Sequence, residues 1–144
     1  MTPLDLSKHP PRSPGEELGG LCMLPRMIDV ARAKLPGGDI GQYQIGRGMS
    51  GFVLRHLGIS VEEFVAAVSQ AADDEEIATR FGEMRSRAEN RMLNLRLRRA
   101  TVADVPDDLR PSFERYYGPD QPRDRRVFDI LEEDDRRTFG AEQK

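Results

Sequence analysis

The amino-acid sequence predicts a mainly α-helical fold, an irregular bundle of five to seven helices around a long central helix, with at most one short extended segment near residues 40–46. Two observations indicate this fold class. Apolar residues recur at helical spacing in several segments separated by glycine and proline, and no alternation of strands with helices is visible. The 144 residues suit a single domain, which we expect to span residues 1–144.

In the N-terminal half, prolines make residues 1–13 an extended arm. Ser13 and Pro14 are typical of an N-cap followed by the first helical position, which predicts a short helix ending at Gly19. A second helix is predicted over residues 25–35. The segment 40–46, in which apolar and polar residues alternate, is the one expected to be extended.

Three further helices are predicted in the middle of the chain. The first covers residues 51–57, and the second runs from a Ser60–Glu63 capping box to about residue 71. The third is the central helix, residues 74–100, whose inward face is marked by apolar residues about 100° apart. These residues are Ile77, Phe81, Met84, Ala88, Met92 and Leu95.

The C-terminal part is predicted to hold a short helix over residues 111–117, a polar loop over 119–126 and a final helix over 127–139. Charge is unevenly distributed between these elements. Residues 77–100 carry seven arginines against two glutamates, whereas residues 101–144 carry an excess of acid. We therefore expect the arginines of the central helix to pair with the acidic C-terminal segment. Four of them form a stripe: Arg80, Arg87, Arg91 and Arg98.

Composition excludes several classes of protein. A net charge of -3 excludes a uniformly basic nucleic-acid coat, and the lone Cys22 excludes an internal disulfide or a cysteine-rich zinc site. The first ten residues hold no apolar signal-peptide core. No segment approaches the ~18 apolar residues of a membrane span. We expect a cytoplasmic protein without membrane attachment.

An ordered set of motifs in the N-terminal half resembles a bacterial family known only as a domain of unknown function. The motifs are Pro11-Arg12-Ser13-Pro14, Leu18-Gly19-Gly20, Leu24-Pro25-Arg26, Ile28-Asp29, Arg32-Ala33 and Gly41-x-Tyr43. They cover roughly residues 5–80. The resemblance implies a small helical cytosolic protein and implies no reaction, ligand or catalytic residue.

A candidate anion site is suggested by Arg26, Asp29 and Arg32, which are spaced at i, i+3 and i+6, with Arg12 upstream and Tyr43 downstream. Arginine offers a planar fork of donors for carboxylate or phosphate, and Asp29 can orient it. The alternative is a set of structural ion pairs that tie the arm to the helix, and this alternative is favoured.

The segment 46–51 satisfies the pattern G-x-G-x-x-G. A dinucleotide site would need a preceding strand and a longer following helix, so a flexible turn is favoured, with a simple phosphate site as the alternative. The hypothetical ligand site therefore consists of Arg12, Arg26, Asp29, Arg32, Tyr43, Gly46, Gly48, Ser50 and Gly51.

Catalysis is poorly supported by the sequence. Cys22 lies in an apolar setting, and His9 and His56 are the only histidines. The acidic run 73–76 lacks the ligand spacing of a calcium loop. We expect no catalytic residue, metal ion or cofactor. The sequence therefore favours a protein without enzymatic activity over an enzyme.

Three functions remain open. The favoured one is a non-enzymatic cytosolic binding or regulatory module, acting through a partner protein or a small anionic ligand. The second is a small enzyme or a nucleotide- or phosphate-binding protein that uses Arg12, Arg26, Asp29 and the 46–51 loop. The third is an RNA- or ribosome-associated factor that uses the arginine stripe within residues 80–99. The identity of a ligand or partner and the oligomeric state do not follow from the sequence.

Overall fold

The computed structural model describes residues 1–140 and confirms the mainly α-helical fold class. A small antiparallel hairpin precedes the helices, and one 3-10 turn, Val102–Asp104, lies between the fifth and sixth helices. The hairpin strands are β1 (Glu17–Leu18) and β2 (Leu21–Cys22). The helices are α1 (Leu24–Ala33), α2 (Gly48–Leu57), α3 (Val61–Gln70), α4 (Asp74–Gly82), α5 (Arg87–Arg99), α6 (Arg110–Tyr117) and α7 (Val127–Phe139).

The helix at the centre of the molecule is α1. Nine of its ten residues are buried, including the charged Arg26 and Asp29. Around it lie β2, α2, α3, α4 and α5, whose apolar side chains form one continuous core with α1. The N-terminal arm closes another side, where the fully buried Leu6 packs with Val30 and Tyr43.

The predicted single helix 74–100 is wrong, because the chain breaks between α4 and α5. Ser86 caps α5: its hydroxyl accepts from the Glu89 amide at 3.1 Å, and the Glu89 carboxylate accepts from the Ser86 amide at 3.1 Å. The break rotates α5 relative to the predicted face. Its buried residues are Asn90, Leu93, Asn94 and Leu97, while Met84, Met92 and Leu95 are exposed.

The predicted first helix at 13–19 is also wrong, because this segment leads into the hairpin. Gly19 and Gly20 form the turn with φ of 61° and 80°, a conformation that favours glycine. A Cβ on Gly19 would lie 2.7 Å from the Ala78 carbonyl oxygen of α4, so no other residue fits. No strand forms at 40–46; the nearest pairing in the described chain is a single bridge between Asp5 and Asp39.

The side-chain amide of Asn94 joins α5 to the hairpin. Its oxygen accepts from the Cys22 amide of β2 at 2.9 Å, and its nitrogen donates to the Gly20 carbonyl at 2.8 Å. A buried amide is costly unless it is hydrogen-bonded. Asn94 is satisfied on both sides, and so it fixes the hairpin against the helix.

The expected pairing of the arginine stripe with the C-terminal acids is wrong within residues 1–140. Arg80, Arg87 and Arg91 are exposed and make no ion pair there, and Arg98 bonds instead to Glu17 of β1 at 2.7 Å. Glu133 of the acidic segment pairs with arginines of its own region, Arg125 and Arg137.

Between residues 1 and 140, no helix is long and apolar enough to cross a membrane.

We predict that Phe81→Ala strongly destabilises the protein. Phe81 is 2% exposed and its ring stacks on Phe64 with 5.4 Å between centroids. Truncating a core phenylalanine typically costs about 3–5 kcal/mol. Urea denaturation measures the loss. Met84→Ala, an exposed apolar position three residues on, is the control and should cost well under half as much; equal midpoints for both variants would contradict the assigned face.

Candidate functional site

A buried ion pair joins α1 to α7. The Arg26 guanidinium donates to both carboxylate oxygens of Asp135, at 2.8 and 3.2 Å, and both side chains are about nine-tenths buried. The Tyr43 hydroxyl donates to Asp135 at 2.8 Å, and the Arg26 guanidinium carbon lies 5.4 Å from the centre of the Tyr43 ring. Losing one partner of such a pair typically costs about 3–5 kcal/mol.

A second ion-pair network holds the N-terminal arm. Arg12 donates from its backbone amide and its guanidinium to Asp29 of α1, and from Nη1 to Asp74 at the start of α4. Burial works against the charged guanidinium, but the hydrogen bonds to Asp74 and Asp29 outweigh it and raise the pKa of Arg12. These residues therefore join three segments of the fold.

The structure separates the predicted site residues into two groups. Arg12, Asp29 and Arg32 lie outside the main cleft, and Arg32 bonds to the backbone and side chain of Thr2. Among the hypothetical ligand residues, only Arg26, Tyr43, Gly48 and Ser50 line the cleft.

The 46–51 segment folds as a tight turn into α2. The Gly46 amide donates to the Ser50 hydroxyl at 2.8 Å, and that hydroxyl donates to the Arg47 carbonyl at 3.0 Å. A Cβ on Gly51 would lie 2.9 Å from the Gly46 carbonyl oxygen. The glycines thus serve the close packing of the turn, and neither Gly46 nor Gly51 lines the cleft.

The main cleft has a volume of about 1100 Å³ and lies between α1, residues 42–47, α2, α5, α6 and α7. We call it the arginine cleft. Its lining includes five exposed arginines that make no ion pair anywhere in residues 1–140. They are Arg47, Arg55, Arg96, Arg99 and Arg115.

Acidic residues in the lining of the cleft are few. Asp104 is used to cap the 3-10 turn, accepting from the Thr101 amide at 2.8 Å. Asp134 accepts from the Gln42 side chain, and burial together with the neighbouring charge of Asp135 raises its pKa. The balance of lining charge is therefore positive, which favours an anion in the cleft.

Sequence reasoning missed the five cleft arginines. Arg96 and Arg99 lie on α5, but the predicted stripe follows the phase of one continuous helix, which the break at residues 83–86 interrupts. Arg47 lies inside the glycine loop, where the predicted ligand residues are Gly46, Gly48, Ser50 and Gly51 and do not include the arginine. Arg55 and Arg115 are isolated in the sequence, and their position in the cleft is set by the tertiary packing of α2 and α6.

Comparison with known proteins yields a family. A family model described as a domain of unknown function (DUF5069) matches residues 8–137. The chain belongs to this family. The match confirms the resemblance seen at residues 5–80 and extends it through α5, α6 and most of α7. The matched residues include every residue that lines the arginine cleft. No curated protein matches the chain significantly.

Alkaline pH should weaken the fold through Tyr43. Burial, followed by the hydrogen bond to Asp135, raises the pKa of Tyr43 far above 10.0. Above pH 10 the unfolded chain loses this proton while the folded chain keeps it, so the free energy of unfolding falls as pH rises. Burial also raises the pKa of Tyr117 to about 12, which adds a smaller contribution of the same sign.

The measurement is urea denaturation of wild type and Tyr43→Phe between pH 8 and 11. Tyr43→Phe keeps the ring but removes the titrating group, so its stability should fall less steeply above pH 10, by up to ~1.4 kcal/mol per pH unit. Tyr117→Phe removes the other tyrosine with a raised pKa and should also lessen the fall, by no more than Tyr43→Phe does. Identical slopes for all three proteins would contradict the role assigned to Tyr43.

Proposed function

We propose that this DUF5069 protein is a non-enzymatic cytosolic binding module whose arginine cleft takes an anionic ligand. The observation that supports the proposal is the set of five cleft arginines without ion-pair partners in residues 1–140. A guanidinium presents donors in a planar fork that matches carboxylate and phosphate. Arg26 lines the cleft but is not one of the proposed ligand-binding arginines, because its guanidinium is already paired with Asp135.

The side chains with chemical reactivity support binding over turnover. Cys22 is fully buried, and burial raises the pKa of its thiol, which disfavours the nucleophilic thiolate. The Nε2 atom of His56 lies 2.8 Å from the Asn90 amide oxygen, and the Ser50 hydroxyl donates within its own turn. A nucleophile needs an adjacent base, and the hydrogen-bond partners of the Ser50 hydroxyl within residues 1–140 are the Gly46 amide and the Arg47 carbonyl, neither of which is a base.

The decisive test compares two pairs of arginines on α5. Arg96→Gln with Arg99→Gln removes two charges inside the cleft, and Arg87→Gln with Arg91→Gln removes two exposed charges outside it. Each protein is heated with inorganic phosphate, pyrophosphate, citrate or ATP. A ligand at 100 times its Kd stabilises by ~2.7 kcal/mol, which raises Tm by several degrees.

We expect the wild type and the Arg87/Arg91 variant to show the same ligand-induced rise in Tm, and the Arg96/Arg99 variant to lose most of it. The Arg26→Ala variant is unsuitable for this purpose, because it leaves Asp135 buried without its partner. The proposal fails if every anion leaves Tm unchanged at millimolar concentration. It also fails if both double variants lose the shift equally.

A second candidate function is nucleic-acid binding through the stripe. It is favoured by the exposure of Arg80, Arg87 and Arg91, which make no ion pair in the part of the chain that the structure describes. Three phosphate contacts would give weak binding that falls with salt. The same double variants test it: fluorescence anisotropy with single-stranded RNA should show loss of binding for Arg87/Arg91→Gln and retention for Arg96/Arg99→Gln. Salt-independent anisotropy, or loss in both variants, argues against this function.

A further inference from the structure

Exposed apolar side chains are concentrated at the arginine cleft. Five large apolar residues between residues 1 and 140 are exposed, and four of them, 37% to 58% exposed, line this cleft. They are Phe52, Met92, Leu95 and Tyr116; the fifth is Met84. Met92 and Leu95 lie on the edge that this cleft shares with a second groove, between the hairpin, α4 and α5. Large apolar side chains left in water around one cleft are typical of an interaction site.

The cleft is also rich in methionine. Four of the six methionines of the chain line it. Met23 and Met27 are buried in the core, 5% and 1% exposed, so Met49 and Met92 are the two that a partner can reach. Methionine is unbranched and polarisable, so it adapts its shape to the side chains of a partner. Grooves lined in this way accept the apolar face of an amphipathic helix.

The arginines of the cleft come from several elements. Arg47 precedes α2, and Arg55 lies in its last turn with its guanidinium directed back along the helix, 3.6 Å from where a Cβ on Gly51 would lie. Arg96 and Arg99 follow on α5, and Arg115 on α6. The volume of about 1100 Å³ is above the ~300–1000 Å³ of most small-molecule pockets. Five arginines from three helices and from the residue before α2 favour a ligand with several anionic groups over a single phosphate or carboxylate.

An elongated nucleic acid fits this surface less well than a protein does. Single-stranded nucleic acid binds through bases stacked on open aromatic faces. The Arg55 guanidinium already lies over the Phe52 ring, 4.6 Å from its centre, and Met92 and Leu95 offer aliphatic surface. Among the exposed aromatic rings of the described cleft lining, this leaves Tyr116 alone for a base to stack on, where a strand needs several. A second copy of this chain also fits the cleft less well. Its helix α7 is acidic, but the apolar residues Val127, Phe128 and Ile130 of that helix are buried in its own core.

We infer that the arginine cleft docks an acidic amphipathic helix of a partner protein. Apolar side chains of that helix at i, i+3 or i+4 and i+7 contact Met49, Met92, Phe52 and Leu95, and its Asp and Glu residues pair with the arginines at the rim. The inference rests on the proposed anionic ligand and names its class.

The experiment selects binders from a displayed library of 16-residue peptides on the wild-type protein. The strongest binder is then synthesised, together with a scrambled version of the same composition. Binding of both peptides is measured by fluorescence anisotropy to wild type and to three variants. The variants are Met92→Gln with Leu95→Gln in the cleft, Met84→Gln outside it, and Arg96→Gln with Arg99→Gln.

The expected binder has apolar residues at helical spacing and acidic residues between them, and binds at least tenfold more tightly than its scrambled version. Both cleft variants should weaken binding at least tenfold, while Met84→Gln leaves it unchanged. Circular dichroism checks that the variants stay folded, as expected for exposed helical positions changed to glutamine.

Two results overturn the inference in distinguishable ways. In the first, the selected peptides are acidic but lack helical periodicity, and they need Arg96 and Arg99 but bind the Met92/Leu95 variant normally. This result would contradict a helical ligand and would still support an anionic one. In the second, the library yields no binders, or yields peptides that are not acidic and bind the Arg96/Arg99 variant as well as the wild type. This result would contradict the docking of an acidic helix. The Tm assay with small anions then decides separately whether the proposed function stands.

Discussion

The buried pair of Arg26 and Asp135 is the interaction on which the arrangement of the C-terminal part depends. It links the most buried helix, α1, to α7 across most of the chain, and Tyr43 joins the same carboxylate from the 42–47 segment. Three walls of the arginine cleft are thereby held by one carboxylate. A buried ion pair contributes little net stability compared with an apolar replacement, but the loss of either partner leaves the other charge buried and unpaired. Both partners are therefore needed where these three segments meet at the carboxylate.

The two arginine networks divide the charge of the protein between structure and surface. Arg12 and Arg26 are neutralised by Asp29, Asp74 and Asp135 inside the fold. The exposed arginines of the cleft lie on α2, α5 and α6, where few carboxylates face them. The protein therefore has a locally cationic surface although its net charge is -3, because acidic residues cap helices and form ion pairs within the fold.

Much of the fold could be predicted from local signals. The capping box at Ser60 and Glu63 predicted the start of α3, and Gly58 the end of α2. The break before α5 carries the same signal at Ser86 and Glu89, but the apolar periodicity that continues across it favoured one helix.

The hairpin and the cleft depend on contacts between distant parts of the chain. Ser13 and Pro14 satisfy the local pattern of a helix start, and only the close approach of Gly19 to Ala78 of α4 shows why the chain turns there instead. Likewise, Arg47, Arg55 and Arg115 are isolated in the sequence and come together through the packing of helices.

The amide of Asn94 has a consequence for association between molecules. A two-stranded sheet normally leaves the outer edge of each strand open, and such an edge pairs readily with strands of other chains. Here a side chain of α5 occupies the Cys22 amide and the Gly20 carbonyl, in the place where a third strand would bond. The hairpin is therefore closed to growth along β2 by a single asparagine, and this small sheet is protected from edge-to-edge aggregation by a helix.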